Sequence, residues 1–206
     1  MSTKLNSRPG EKDRIWVARY NPGNRRPMSK TEWSTPWDVF YAIHYALGAE
    51  PRTVDAAASS INTKAERFFG LGDPNQIGED GMVQSWYNEH VWLNPPFGQA
   101  ADRYQVWDWV NKCLSASAAS VMMILPGAFE QHTWFNTVYD SSARILLLQP
   151  RVQYGYGNNP SNSMLAYWGD FGKIRDLRVG QHKCAPLNYR EWIVKEQLAR
   201  RLDEAK

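Results

Sequence analysis

Along this chain the spacing of apolar residues switches several times between a helical pattern and short continuous runs. This predicts helices and strands in alternation. Apolar residues between 39 and 47 recur at helical spacing; Thr35 would cap this helix, Pro36 suits its first position, and Gly48 stops it. Further helices are predicted at about 62–69, 101–118, 130–139 and 188–205. Short apolar runs predict buried strands at 52–55, 90–93, 121–125, 144–148 and 163–168. The apolar side of the last helix would hold Val194, Leu198 and Leu202.

This alternation predicts a doubly wound α/β domain, and the continuous apolar strands favour a mostly parallel sheet covered by helices. A loop rich in Gly, Asp, Asn and Pro is expected at 70–81, and a turn-rich protrusion with exposed rings at 149–162. The length of 206 residues fits one domain with tails. We assign 1–30 to a basic N-terminal arm, 31–172 to the domain, and 173–206 to a basic C-terminal extension ending in a helix.

Composition narrows the class of protein. No apolar run is long enough to span a membrane, and Met1–Gly10 is polar, so we expect neither a membrane span nor a secretory signal and place the protein in the cytoplasm. Cys113 and Cys184 lack metal-ligand spacing, as do the four scattered histidines. We therefore expect reduced thiols and no metal; the oligomeric state stays open.

The net charge of +3 is the difference between opposed regions. The arm carries +6, residues 31–172 carry −7, and the C-terminal extension carries +4. Basic ends suit a polyanionic partner such as phosphates, although they also serve solubility alone. Arginines interleave with rings in the arm, where Arg25 and Arg26 are expected DNA contacts; Arg151 and Tyr154 are expected contacts at the protrusion.

The sequence Asn94-Pro95-Pro96-Phe97 follows a predicted strand at the end where open α/β sheets bind ligands. Two acceptors placed on the hydrogens of a conjugated exocyclic amine make its nitrogen lone pair available and stabilise the developing positive charge. The Asn94 side-chain oxygen and the Pro95 carbonyl can supply them, since a residue before proline is held extended. Phe97 offers a face for stacking a base. The alternative interpretation is an ordinary turn after a strand.

The chain resembles the phage-type DNA N6-adenine methyltransferases, also called Dam-like. The resemblance rests on Asn94–Phe97, on Glu32-Trp-Ser-Thr-Pro-Trp and on Val54-Asp-Ala-Ala-Ala-Ser, and it covers about 140 residues. It implies a shortened, Rossmann-like, class I methyltransferase fold, S-adenosylmethionine as donor, and a flipped adenine as acceptor. It also implies that Asn94–Phe97 form the catalytic loop and that the donor pocket is lined by Trp33, Thr35, Pro36, Asp55, Ala56 and Ala57.

Some features depart from a standard donor-binding sheet. No Gly-x-Gly turn follows the first strand, and only 39 positions separate Asp55 from Asn94, so strands two and three must be shortened or missing. Asp55 suits the donor's ammonium group, or it only caps the next helix. Asp73, Glu79 and Asp80 are candidates for binding the ribose. Alternatives to adenine methylation are N4-cytosine methylation, methylation of a protein glutamine, and a catalytically inactive nucleic-acid-binding relative.

Overall fold

A computed structural model of the chain describes residues 34–70, 73–96, 103–127, 133–154, 162–171, 174–176 and 182–204. Within these ranges the chain forms a mixed α/β domain with four helices and a seven-stranded sheet. The helices are α1 (Trp37–Leu47), α2 (Val106–Ser115), α3 (Thr133–Asp140) and α4 (Tyr189–Glu204). The strands are β1 (Val54–Asp55), β2 (Arg67–Phe68), β3 (His90–Leu93), β4 (Ser120–Pro126), β5 (Arg144–Gln149), β6 (Ser163–Trp168) and β7 (Cys184–Asn188).

The sheet has the order β2-β1-β3-β4-β6-β5-β7. Strands β2, β1, β3 and β4 pair in parallel, and β5 pairs in parallel with β7. Only β6 runs the other way among these strands, since it pairs antiparallel with both β4 and β5. The carboxyl ends of the other six strands therefore meet at one edge of the sheet.

Two apolar clusters cover the faces of the sheet. Helices α1 and α4 pack on one face, where Trp92 and Met122 point, and helices α2 and α3 pack on the other, where Leu93 and Met123 point. Adjacent residues of β3 and β4 thus enter opposite clusters, because side chains alternate along a strand. This explains why these strands are continuously apolar, as the sequence indicated for strands covered on both faces.

On the side of β1 away from β3, the sheet contains only very short strands among the described residues. Strand β2 has two residues, and beyond it a single parallel bridge joins Phe69 to Gly78. The predicted shortening of the second and third strands is confirmed. The predicted helix at 62–69 is wrong: the Asp55 and Asn62 side chains accept the amides of Lys64 and Ser59, and such side-chain bonds compete with a helix.

The C-terminal extension is part of the same sheet and core, because β7 extends the sheet and α4 packs against α1. Helix α4 buries Tyr189 and Trp192. The predicted apolar side of α4 is wrong: Val194, Leu198 and Leu202 are 65%, 57% and 58% exposed. Two large rings determine which side of this helix enters the core.

Candidate active site

The candidate site lies where the strand order reverses. From β1 the chain crosses to β2 on one side and returns to β3 on the other, and the carboxyl ends of strands at such a reversal are where open α/β sheets bind ligands. Strand β1 ends at Asp55 and strand β3 at Leu93, which Asn94 follows directly. The amide of Ala56 donates to the carbonyl of Trp92 at 2.9 Å. The two segments that carry the predicted donor pocket and catalytic loop are therefore adjacent.

The Asn94 side chain is oriented by Thr35. Its Nδ2 donates to Thr35 Oγ1 at 3.4 Å, and Thr35 is only 2% exposed. The amide nitrogen faces Thr35, so the amide oxygen is directed away from it. Pro95 is buried and Pro96 is half-buried. This contact joins the predicted catalytic loop to the segment before α1.

Thr35 has a different role from the helix cap that the sequence also suggested. Helix α1 begins at Trp37, Pro36 stands at the N-cap position, and no side chain caps it. The helix ends at Gly48 as predicted, with φ of 58°, a left-handed conformation that favours glycine. The buried hydroxyl of Thr35 is thus committed to Asn94.

Asp55 is buried and holds the turn after β1. One carboxylate oxygen accepts the Lys64 amide at 2.8 Å and the other accepts the Ala57 amide at 3.4 Å. Burial raises the pKa of Asp55 to about 6, and these two amide bonds oppose the rise. The carboxyl group therefore shapes the turn, whether or not it also contacts a ligand.

The amides of the turn after β1 are used within the protein. Those of Ala56 and Ala58 donate to backbone carbonyls, and that of Ala57 donates to Asp55. In a glycine-rich turn such amides would face a ligand. Here the amides of Ala56, Ala57 and Ala58 are already bonded within the protein.

Glycines from a later loop allow close packing against this turn. A Cβ at Gly70 would lie 2.0 Å from the carbonyl oxygen of Ala58, and one at Gly81 would lie 2.0 Å from that of Ala56. Both contacts are backbone to backbone, so no side chain could move to relieve them. Gly70 and Gly81 therefore allow the later loop to pack directly against the backbone of the turn after β1.

Lys64 is a buried cation that the sequence interpretation missed. Its Nζ donates to the carbonyl of Asn62 at 2.8 Å and to Ser34 Oγ at 3.1 Å, and it lies 4.5 Å from the centre of the Trp37 ring. Burial lowers the pKa of Lys64 to about 8, and the charge of Asp55 opposes this effect. Lysines are rarely buried unless they are paired, and the sequence pattern, which predicted a helix at 62–69, did not single this one out.

Of the three acids proposed for the ribose, Asp80 is the buried one. It follows the Phe69–Gly78 bridge, accepts the Tyr104 hydroxyl at 2.7 Å, and pairs with Arg103 at 3.0 Å. Asp73 is engaged by the amides of Ser60 and Asn75, which lower its pKa.

The remaining predicted contacts fall into two groups. Arg25, Arg26, Trp33 and Phe97 lie outside the described residues. Arg151 is exposed. Tyr154 is 5% exposed and its hydroxyl donates to Ser163 at 2.8 Å, so its ring belongs to the core and its predicted contact with DNA is not supported.

In the described part of the chain, no three metal-binding side chains are grouped to hold an ion. No helix in that part is long and apolar enough to cross a membrane.

The profile of the DNA N-6-adenine-methyltransferase (Dam) family matches residues 24–170, and the chain belongs to this family. A relative from Escherichia phage T1, a DNA N-6-adenine-methyltransferase, is 27% identical over 165 residues. That alignment covers 77% of this chain and 63% of the phage T1 protein, so the chain spans less than two thirds of that relative's length. The family predicted from the motifs is thereby confirmed.

Proposed function

We propose that the protein transfers a methyl group from S-adenosylmethionine to the N6 amine of adenine in DNA. The observation that carries the proposal is the hydrogen bond from Asn94 Nδ2 to Thr35 Oγ1. This bond places the amide nitrogen of Asn94 toward Thr35 and its oxygen on the side away from Thr35, at the carboxyl ends of the strands. Family membership and the phage T1 relative support the same chemistry.

The chemistry requires acceptors at the exocyclic amine. In adenine, the N6 lone pair is delocalised into the ring. In our proposal Asn94 Oδ1 and the Pro95 carbonyl each accept one N6 hydrogen, which favours a tetrahedral nitrogen and stabilises its developing positive charge. Pro96 has no N–H and fixes the backbone before it, so the bend is held in place before the base arrives. Phe97 stacks on the base, and the proton released afterwards passes to water.

The residues at the carboxyl ends of β1 and β3, where the strand order reverses, fit the donor. When bound, S-adenosylmethionine supplies an electrophilic methyl carbon on a sulfonium, and its amino acid end carries one charge of each sign. The turn after β1 and the segment before α1 bring together a buried acid, Asp55, and a buried cation, Lys64. In our proposal Trp33, Thr35, Pro36 and the turn 55–57 line the pocket. The strand order, with one antiparallel strand near the end, supports a shortened class I methyltransferase fold.

DNA is the proposed partner, with the arm containing Arg25 and Arg26, together with Arg151, as contacts to the phosphates. The exposed side chain of Arg151 and the basic termini support this assignment. We propose that the protein acts in the cytoplasm, where a phage enzyme would meet its DNA. No target-recognition domain is assigned.

Nucleoside mass spectrometry of DNA incubated with the protein and S-adenosylmethionine tests the function. We expect N6-methyladenine. N4-methylcytosine with unmodified adenine would identify the cytosine N4 amine as the substrate. Methylation of a protein glutamine would identify a side-chain amide as the substrate instead. Failure of the donor to bind at millimolar concentration, measured by calorimetry, would indicate an inactive binding protein.

A further inference from the structure

Lys64 is a buried ammonium whose direct contacts with the described residues are all neutral. The residue is 6% exposed, and its Nζ meets a backbone carbonyl, the Ser34 hydroxyl and the face of Trp37. Among the described residues, none of the ion pairs within 4.0 Å involves it. The Asp55 carboxylate accepts the Lys64 backbone amide, and its charge raises the pKa of Lys64 through space without an ion pair to Nζ.

Such an arrangement is costly when no anion is present. Removing an ammonium from water is unfavourable, and a carbonyl, a hydroxyl and a ring compensate for only part of the loss. A buried cation of this kind is suited to an anionic ligand that completes its coordination.

The position of Lys64 indicates which anion it would meet. Its backbone amide binds Asp55 at the end of β1, and its Nζ binds Ser34, next to Thr35, which holds Asn94. Lys64 therefore touches both walls of the proposed donor pocket. The donor's carboxylate is joined to its sulfonium by a short aliphatic chain, so it must lie near these walls when the methyl group faces Asn94.

We propose that Lys64 binds the carboxylate of the donor's methionyl group, with Ser34 Oγ as its neighbour. This inference rests on the proposed function, since it requires S-adenosylmethionine as the ligand. It makes Lys64 a binding residue for the donor, whereas a purely structural Lys64 would only tie the segment before α1 to the turn after β1.

The test compares S-adenosylmethionine with decarboxylated S-adenosylmethionine in calorimetric binding to the full chain, without DNA. We expect the unmodified protein to bind the carboxylated donor about 10- to 100-fold more tightly, as expected for loss of a charge-assisted hydrogen bond. In Lys64→Met this preference should fall to about onefold, while Lys64→Arg should keep most of it. Near-equal affinity in the unmodified protein would overturn the proposal whether or not the variants fold.

Lys112→Met is the matched control. The Lys112 Nζ also donates to a backbone carbonyl, that of Gln84 at 2.8 Å, and lies 5.3 Å from the Trp86 ring, but on α2. Its variant should keep the full preference for the carboxylated donor. A preference retained in Lys64→Met would show that the lysine acts as a structural tie only. Absence of any donor binding by the unmodified protein would overturn both this inference and the proposed function.

Discussion

Substitution of Thr35 by valine tests the orientation of Asn94. Valine keeps the shape of the side chain and removes the Oγ1 atom that accepts from Asn94 Nδ2 at 3.4 Å. That distance is long for a hydrogen bond between neutral groups, so we expect a loss of about 0.5–1 kcal/mol, or about two- to fivefold in the transfer rate. Removal of the acceptor itself in Asn94→Ala should cost more, about 100- to 1,000-fold.

The two effects should not add, because in our account Thr35 acts through Asn94. Thr35→Val made in the Asn94→Ala background should cause no further loss of rate. The assay is single-turnover transfer of labelled methyl groups into DNA at saturating donor, with the donor dissociation constant measured separately. Thr35→Ser, which keeps the hydroxyl, should retain the rate.

Thr53→Val is a control at the amino ends of β1 and β3, away from the candidate site. There the Thr53 hydroxyl accepts the His90 amide at 2.9 Å. This variant is expected to lose stability but not transfer rate. Equal losses from Thr35→Val in the presence and absence of the Asn94 side chain would refute the orienting role of Thr35.

Three further outcomes are expected. Gly81→Ala should lower the free energy of unfolding by about 1–3 kcal/mol in urea titrations, because the new methyl group meets the Ala56 carbonyl; unchanged stability would contradict this packing. Burial lowers the pKa of His44 to about 3, so the unfolded chain gains its proton first and stability falls as the pH drops from 7 to 4, by up to about 3 kcal/mol. The His44→Phe variant should lose less stability over that pH range. Asp55, whose pKa is raised, changes stability in the opposite direction, but it does so equally in both proteins. Deletion of residues 1–30 should flatten the dependence of DNA affinity on salt concentration. An unchanged dependence would show that the arm does not contact the DNA phosphates.

The main features of the candidate site could be predicted from the sequence because they depend on local rules. A buried strand followed by Asn94, Pro95 and Pro96 must end there, and the end of a parallel strand is where such sheets bind ligands. The short interval between Asp55 and Asn94 correctly indicated reduced strands. The contact between Thr35 and Asn94 joins distant segments and was not predicted; the family resemblance implied only that Thr35 lines the donor pocket.

Other parts of the structure depend on tertiary contacts that local patterns do not encode. Lys64 was missed, and the helix predicted at 62–69 does not form there because the Lys64 amide donates to the Asp55 carboxylate. The direction of β6 could not be predicted, since a strand covered on both faces has the same apolar pattern either way. Strand β7 was missed because it is short, contains Pro186, and pairs only with β5 at the edge. Tyr154 lies in a turn-rich segment, yet its ring fills the core.

The most direct measurement of the central claim is the distance from adenine N6 to Asn94 Oδ1 in a crystal structure of the protein with DNA and a non-reactive donor analogue. We expect a flipped adenine whose N6 donates to Asn94 Oδ1 and to the Pro95 carbonyl, each within hydrogen-bond distance. A bound donor analogue with Asn94 Oδ1 turned into the protein and no adenine N6 beside it would contradict the account.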